Sequence, residues 1–152
     1  MEFIKGDPPK GCVFCTLPAD TNDRENLIVH RGKECFLILN KYPYNNGHVL
    51  VVPNAHIALF TEVPDSALTE MNALAKKAIR ALDAIYKPQG YNMGINQGEA
   101  AGAGVKHHLH LHIVPRWMGD TNFMPVLAQT KSLPQHLLTS FDDIKAALET
   151  AG

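Results

Sequence analysis

Short apolar runs separated by turn residues dominate the first half of the chain. Residues 27–32, 35–40 and 47–53 read LIVHRG, CFLILN and GHVLVVP, and the connection KYPYNN between the last two contains a proline and two asparagines. Runs of this length bounded by turn residues are typical of β-strands, and two such runs joined by a short turn indicate a hairpin. The pattern predicts a sheet that begins with three strands.

Between Pro64 and Pro88 the apolar residues change to a spacing of three and four. This spacing predicts one long helix that covers one face of the sheet. Asp65 is placed to cap its start, and the segment 88–90 to end it. The apolar positions are Leu68, Met71, Leu74, Ala75, Ala78, Ile79, Leu82 and Ile85.

The rest of the chain predicts two more strands and a second helix. YNMGIN at 91–96 and HHLHLHIVP at 107–115 have strand patterns, and a glycine-rich loop at 98–104 lies between them. A short C-terminal helix is expected to open at Ser140, with two aspartates in its first turn.

The segment 107–115 carries four of the eight histidines of the chain within six positions. Successive side chains of a strand point to opposite faces, so three imidazoles are expected on one face and three aliphatic side chains on the other. Imidazole suits nucleophile, proton-transfer and metal-ligand roles near neutral pH. The alternative is a merely polar, solvent-facing strand. The alternating residues are His108, His110 and His112 with Leu109, Leu111 and Ile113.

Composition narrows the class of protein. The 152 residues are 45% apolar and carry a net charge of −1, which fits one compact domain. Without a basic stripe or an apolar membrane span, we expect no nucleic-acid partner and no membrane partner. The first residues lack the apolar core of a secretion signal, so the default compartment is the cytoplasm. Three cysteines then argue against a disulfide framework.

Three motifs in this order resemble the histidine triad (HIT) family of nucleotide hydrolases and transferases. Residues 108–114 match its His-x-His-x-His-x-x signature with apolar x, 47–56 resemble its preceding strand with a histidine after glycine, and 12–15 read CVFC. The resemblance implies an α+β fold with an antiparallel sheet of about five strands, one long central helix and a short C-terminal helix. It also implies a single domain over 1–152 and a homodimer joined in a continuous ten-stranded sheet.

A neutral imidazole can attack an α-phosphorus directly and give a phosphoramidate that water or phosphate later breaks. His110 lies between His108 and His112, each roughly 7 Å away along a strand. The family uses its middle histidine as the nucleophile, so the resemblance implies this role for His110, with His112 and His48 binding phosphate or orienting the nucleophile. For His48, a strand-end histidine bonded to a backbone carbonyl is the alternative.

Cys12 and Cys15 form a CxxC pair, which in a cytosolic protein is either a redox pair or half of a metal site. A closed structural zinc site needs four ligands. Zinc-bearing members of the family complete theirs with the histidine of a Pro-x-x-His turn and the first triad histidine, here His56 and His108. The resemblance thus implies a structural Zn²⁺ that ties the N-terminal segment to the histidine strand.

The loop before the histidine strand is a candidate for phosphate contact. Glycines at 98–104 can bring backbone N–H groups close to phosphate oxygens, although a flexible connection would also be glycine-rich. The resemblance adds Asn96, Gln97 and Gly104 as substrate-binding positions. Family members often have a glutamine or a hydroxyl residue where this chain has Ala103 and Gly104, which removes a possible donor to the leaving group.

Three further residues are candidates for nucleoside contact, each with a structural alternative. By resemblance Asn40 binds the ribose hydroxyls, or it caps the hairpin turn, and Phe14 packs on the base, or it is core. PRWMGDTNF at 115–123 resembles the bacterial branch that includes dinucleoside tetraphosphate phosphorylases. Trp117 would stack there on a second base, or pack at a dimer interface.

The resemblance implies an enzyme that cleaves at the α-phosphate of a nucleotide, such as the dinucleoside polyphosphates Ap4A or Ap3A, through a covalent nucleotidyl-histidine. A nucleoside phosphoramidate hydrolase is the alternative within the family. Two others lie outside it. The three strand histidines could bind a catalytic zinc that activates water, as in a metallohydrolase, or the chain could bind nucleotides without turnover.

Overall fold

The computed structural model describes residues 10–120 and 133–150. A five-stranded sheet, antiparallel throughout, has the strand order β1-β2-β3-β5-β4. The predictions of an α+β fold and of five antiparallel strands are confirmed. The strands are β1 (Ile28–Arg31), β2 (Cys35–Leu39), β3 (Val49–Pro53), β4 (Gly90–Ile95) and β5 (Leu111–Arg116).

Two long helices pack against this sheet, and a one-turn helix lies near the N-terminus. The helix α2 contacts β2, β3 and β5, while α3 contacts α2 and β1. No helix in the described part of the chain has the length and hydropathy to cross a membrane. The helices are α1 (Val13–Thr16), α2 (Asp65–Tyr86) and α3 (Leu133–Thr150).

The predicted long helix is confirmed, with one correction at its start. Pro64, in an extended conformation, occupies the N-cap position, and Asp65 is the first helical residue rather than the cap. A carboxylate in the first turn still interacts favourably with the helix dipole. Small residues on the buried face let α2 lie close to the sheet. The buried residues are Ala67, Met71, Leu74, Ala75, Ala78, Ala81 and Leu82.

The predicted C-terminal helix is confirmed, but the prediction that it opens at Ser140 was wrong. The helix begins at Leu133 and has 18 residues, so Ser140 lies in its interior. Pro134 is tolerated in the first turn because the N–H groups there have no intrahelical partner. Apolar residues on both sides of Ser140 pack on the core at helical spacing, which favours continuing the helix over capping it. They are Leu137, Phe141, Ile144 and Leu148.

The strand that carries the histidines is also shorter than predicted. β5 begins at Leu111, because the N–H of Leu109 donates to the carbonyl of Ile57 (2.7 Å) outside the regular strand ladder. His108 and His110 precede the strand and are 0% and 5% exposed. The alternative interpretation, a merely polar strand that faces solvent, was therefore wrong. Buried imidazoles take their hydrogen-bond partners mainly from the protein itself.

A carboxylate of α2 anchors the turn between β1 and β2. Glu70 accepts the backbone N–H groups of Lys33, Glu34 and Cys35 at 2.7, 2.5 and 2.7 Å. A Cβ on Gly32 would meet both the carbonyl oxygen of Cys35 and Oε1 of Glu70 at 2.8 Å, so glycine is required there. This contact fixes α2 to the first hairpin and thereby to the sheet that presents the site.

Replacing Glu70 with Gln should lower the free energy of unfolding by about 1–3 kcal/mol, because an amide has one acceptor oxygen in place of two. Urea denaturation at pH 7 measures the change. Burial opposes ionisation of Glu70, but the three N–H groups outweigh it and lower its pKa. Its contribution is therefore present at neutral pH and is lost as the pH falls through the lowered pKa.

The exposed Glu149 of α3 provides the control, and Glu149→Gln should change stability by less than about 0.5 kcal/mol. Equal effects of the two substitutions would show that the Glu70 contacts do not anchor the turn.

Candidate functional site

His110 has a fixed tautomer. Its Nδ1 lies 2.9 Å from the carbonyl oxygen of His108, and because a carbonyl only accepts, Nδ1 must carry the proton. The lone pair is therefore on Nε2. Burial lowers the pKa of His110, so the ring is neutral at pH 7 and its Nε2 can act as a base, a ligand or a nucleophile.

His48 and His112 form a hydrogen-bonded pair in which each ring carries its proton on Nε2, unlike His110. The N–H of Tyr44 donates to Nδ1 of His48 (3.2 Å), so His48 carries its proton on Nε2. That nitrogen lies 3.0 Å from Nδ1 of His112, which must accept, and the proton of His112 is therefore also on Nε2. Burial, with neighbouring histidines, lowers the pKa of His48 to about 3 and that of His112 to about 4.

The three rings are close enough to act on one group. The ring centres of His110 and His112 are 4.8 Å apart, and those of His48 and His112 are 5.2 Å apart. The ring that carries the Nε2 lone pair, His110, thus neighbours the ring that carries an Nε2–H donor, His112. A nucleophilic nitrogen next to a donor is an arrangement suited to attack on an anionic centre.

His48 owes its position to the glycine before it. Gly47 has φ +78°, and a Cβ there would meet Leu82 and Tyr86 of α2 at 2.9 and 3.0 Å. Any other residue would be strained and would push the loop away from the helix. The ring of His48 bonds the backbone of Tyr44 and the ring of His112, so the alternative of a ring satisfied by a backbone carbonyl was wrong.

The four predicted metal ligands come together. The ligand atoms of Cys12, Cys15, His56 and His108 all lie within 4.8 Å of one another. Nδ1 of His108 is 3.4 and 3.5 Å from the two sulfurs, and Nδ1 of His56 is 3.3 Å from Cys15. Nε2 of His108 donates to the carbonyl of Pro53 (2.8 Å), which leaves its Nδ1 lone pair directed at the thiols.

These separations fit a tetrahedral ion. Metal bonds of about 2.3 Å to sulfur and about 2.0 Å to nitrogen put neighbouring ligand atoms roughly 3.5 Å apart. Burial, with a smaller effect of Cys12, raises the pKa of Cys15 to about 12, so an ion must displace a proton to bind. His108 belongs to this cluster, whereas within residues 10–120 and 133–150 no metal-ligand group includes His110 or His112. The geometry does not support a catalytic metal held by the three strand histidines.

An open groove of about 400 Å³ begins at His112 and runs along β4 and β5 to Arg116. Gly94 pairs with His112 and leaves space beside its ring. The predicted Asn96 lines this groove. Tyr44 stands at its rim, 56% exposed, with its ring 6.4 Å from that of His112 at an angle of 16°. The groove gives an extended substrate a path away from the histidines.

Two other predicted contacts have structural roles in the described chain. Asn40 accepts the N–H of Tyr42 (3.0 Å), as a hairpin cap does, and its amide also faces the ring of His48 at 3.3 Å. Phe14 is 5% exposed and packs against His110 with ring centres 5.0 Å apart, which agrees with the core alternative. Ribose and base contacts by these residues stay predictions.

The remaining predicted positions lie in loops at the margin of the histidines. Gln97 accepts the N–H of Phe60 (2.7 Å), so its oxygen is already engaged. Gly104 is exposed in the loop before His108. The N–H of Trp117 donates to Asp120 (2.9 Å). Their contacts with substrate stay predictions, and Asn122 and Phe123 of the segment 115–123 lie outside the described residues.

Two site residues, Tyr44 and Asn45, were not predicted, because the segment KYPYNN has the composition of an ordinary hairpin turn. Tyr44 fixes the tautomer of His48, and Asn45 is a buried amide, 4% exposed, that lines the groove. A buried asparagine in a turn is recognisable only once the turn is packed against other elements.

This chain is similar to known proteins in both sequence and fold. A family model for the HIT domain matches residues 21–118. AP-4-A phosphorylase of Mycobacterium tuberculosis is 42% identical over 138 residues, which cover 88% of this chain and 70% of that protein.

Two solved structures have the same architecture. A Zn-bound histidine triad family protein from Mycobacterium smegmatis superposes with a TM-score of 0.73 at 29% identity, over 92% of this chain and 94% of that one. A hypothetical histidine triad nucleotide-binding protein from Sulfolobus tokodaii gives a TM-score of 0.75 at 29% identity, over 91% and 93%. The family model matches more than half of this chain. The chain therefore belongs to the HIT family and is a nucleotide hydrolase or transferase.

Proposed function

We propose that this enzyme cleaves a dinucleoside polyphosphate at an α-phosphorus through a covalent nucleotidyl intermediate on His110. The observation that carries the proposal is the bond from Nδ1–H of His110 to the carbonyl of His108, which leaves a lone pair on Nε2 of a ring whose centre lies 4.8 Å from that of His112. The substrate class is supported by the identity of 42% to a protein named AP-4-A phosphorylase. The groove along β4 and β5 suits a substrate that extends beyond one phosphate.

The reaction takes place in two displacements. The Nε2 lone pair of His110 attacks the α-phosphorus, an N–P bond forms, and the bond to the bridging oxygen breaks so that the nucleoside polyphosphate leaves with the electron pair. Phosphate or water then attacks the same phosphorus, the N–P bond breaks, and its electron pair returns to Nε2. When water attacks, the proton it loses passes to the solvent. The imidazole remains bonded to the carbonyl of His108 throughout, which stabilises the positive charge of the phosphorylated ring.

His112 and His48 assist without forming bonds to phosphorus. Nε2–H of His112 donates to a non-bridging oxygen, where negative charge accumulates in the transition state. His48 supplies the bond that keeps Nδ1 of His112 as an acceptor. Removal of one such donor typically costs about 100- to 1000-fold in kcat.

Product analysis tests the proposal and separates its alternatives. The protein is incubated with Ap4A, Ap3A and an AMP-lysine phosphoramidate, each with and without phosphate. ADP formed from Ap4A only when phosphate is present identifies a phosphorylase, and AMP formed in its absence identifies a hydrolase. Rapid turnover of the phosphoramidate alone would favour the phosphoramidate hydrolase. No turnover of any of the three, with nucleotide still bound, would support the binding protein and contradict the proposal.

Replacing His110 with Ala should lower kcat by several orders of magnitude while nucleotide still binds, because the lost bond forms only on the path to the transition state. Rapid-quench kinetics with Ap4A measure the loss. Quenching in alkali, which preserves the acid-labile N–P bond, should detect labelled protein in the wild type only. The exposed neighbour His107 is the control, and His107→Ala should retain nearly full activity. A His110→Ala protein that keeps a tenth of the wild-type rate would show that His110 is not the nucleophile.

We further propose that the metal cluster holds one structural zinc per chain through Cys12, Cys15, His56 and His108. The thiolate and imidazole donors are those that zinc prefers, and all four positions are filled by protein, which leaves none for water or substrate. A structurally similar family member is described as Zn-bound. The ion would tie the segment before β1 to the residue whose carbonyl holds His110.

Substituting Cys12 with Ser should remove the metal and lower the melting temperature, because binding to a site formed only in the folded state stabilises that state. Elemental analysis should find one zinc per wild-type chain, and a chelator should lower the melting temperature before it abolishes activity. The buried Cys35 lies outside the cluster, so Cys35→Ser should keep the zinc. A folded wild type with well under one zinc per chain would contradict the assignment.

The homodimer is proposed to form along β4, the edge strand of the sheet. β1 at the other edge is covered by α3, whereas Asn92, Met93 and Gly94 of β4 are exposed. An open edge of this kind pairs readily with a second strand. Two copies of β4 side by side would give the ten-stranded sheet that the family resemblance implies.

Light scattering at micromolar concentration should report a dimer for the wild type. Met93 is 48% exposed on β4. Replacing it with Lys should weaken the dimer, because the two-fold symmetry brings the two lysine charges close together across the interface. Met93→Lys is expected to raise the dimer dissociation constant at least tenfold. Leu59, 45% exposed and outside the strands, is the matched control, and Leu59→Lys should remain dimeric. A monomeric wild type would rule out the interface.

A further inference from the structure

The carboxylate of Asp120 connects the end of β5 to the hairpin loop that carries His48. Asp120 accepts Nε–H and Nη2–H of Arg116 at 3.0 and 2.8 Å, and the N–H of Trp117 at 2.9 Å. Its fourth donor is the side-chain amide of Asn45 at 2.6 Å. The Arg116 guanidinium, with these other donors, holds the pKa of Asp120 well below its ordinary value, so the group is a carboxylate at neutral pH.

Asn45 transmits this anchor to the loop. Its amide also donates to the carbonyl of Pro115 (2.9 Å) in β5, and its own carbonyl accepts the N–H of His48 (3.2 Å). The side chain is almost fully buried, so each of these bonds is protected from competition with water. These bonds hold the backbone of Asn45 in place, and the N–H of Tyr44 lies one residue before it in the same loop.

Tyr44 is the point at which the loop acts on the site. Its N–H donates to Nδ1 of His48 and so requires the proton of His48 to be on Nε2, directed at His112. In a neutral imidazole one nitrogen donates and the other accepts, and the surrounding hydrogen bonds decide which. A displaced Tyr44 N–H would leave only the side-chain amide of Asn40, at 3.3 Å, facing Nδ1 of His48 and would weaken this constraint.

We infer that Asp120 and Asn45 are positioning residues that hold the N–H of Tyr44 on His48 and thereby select the tautomers of both His48 and His112. Reversal of the pair would put the proton of His112 on Nδ1 and leave a lone pair on its Nε2. That lone pair would face the phosphate oxygens and repel them, and a donor would be lost from the transition state. The catalytic consequence rests on the proposed function, whereas the tautomer assignment does not.

The tautomers are measured directly by NMR of protein labelled with ¹⁵N in its histidine rings, because protonated and unprotonated ring nitrogens resonate in separate regions. In the wild type at pH 7, His48 and His112 should each show a protonated Nε2 and an unprotonated Nδ1. In Asp120→Asn and in Asn45→Ala both rings should shift toward a mixture of tautomers. His110 should keep its protonated Nδ1, because its bond to His108 does not involve the loop.

The matched control is another arginine–aspartate pair. Asp23 accepts Nε–H and Nη2–H of Arg31 at 3.0 and 2.7 Å on the surface, without a bond to the hairpin loop. Asp23→Asn removes a similar ion pair and should leave all the ring signals unchanged. A general loosening of the fold, by contrast, would move the signals of His110 as well, and circular dichroism of each variant verifies that it is folded.

Kinetics separate this inference from the proposed function. With Ap4A, kcat of Asp120→Asn and Asn45→Ala should fall roughly tenfold to a hundredfold, with a smaller change in KM. Unchanged ring signals in both variants, or a wild type whose His48 carries its proton on Nδ1, would overturn the inference whatever the activity. Shifted tautomers in a protein that does not turn over dinucleotides would leave the inference intact and contradict the proposed function alone.

Discussion

A buried neutral imidazole needs a donor for one ring nitrogen and an acceptor for the other, and in this protein the backbone decides which is which. The carbonyl of Pro53 sets His108, the carbonyl of His108 sets His110, and the N–H of Tyr44 sets His48. His48, His108 and His110 are at most 5% exposed, so water competes little for these bonds. The metal cluster and the histidine site both depend on this constraint.

The sheet brings these backbone groups together from distant parts of the chain. β3 and β5 are neighbours although α2 and β4 lie between them in sequence, and Leu50 of β3 pairs with His112 of β5. His108 serves two sites at once, because its ring faces the thiols while its carbonyl holds His110. The N-terminal segment and the reactive ring are therefore coupled through one residue.

Sequence patterns predicted the strands, the long helix and the metal ligands because each is a local or motif-borne signal. They misplaced the start of α3, since Ser140 with its following aspartates has the composition of a helix cap, and packing of Leu137 outweighed that signal. The burial of His110 was not predicted. The alternation of histidine and aliphatic residues shows which side chains share a face of the strand, but not what covers that face. The tautomers and the Asp120 contacts depend on packing between loops, which local spacing does not record.

The order in which the metal ligands occur along the chain has a consequence for folding. Cys12, Cys15 and His56 lie in the first 56 residues, and His108 follows 52 residues later, just before the strand that lies between β3 and β4. During synthesis the proposed zinc could meet three ligands early, but the fourth arrives only when β5 docks between β3 and β4. The complete site would then form only on chains whose sheet has reached its full strand order, and binding of the ion would draw partly folded chains toward that state.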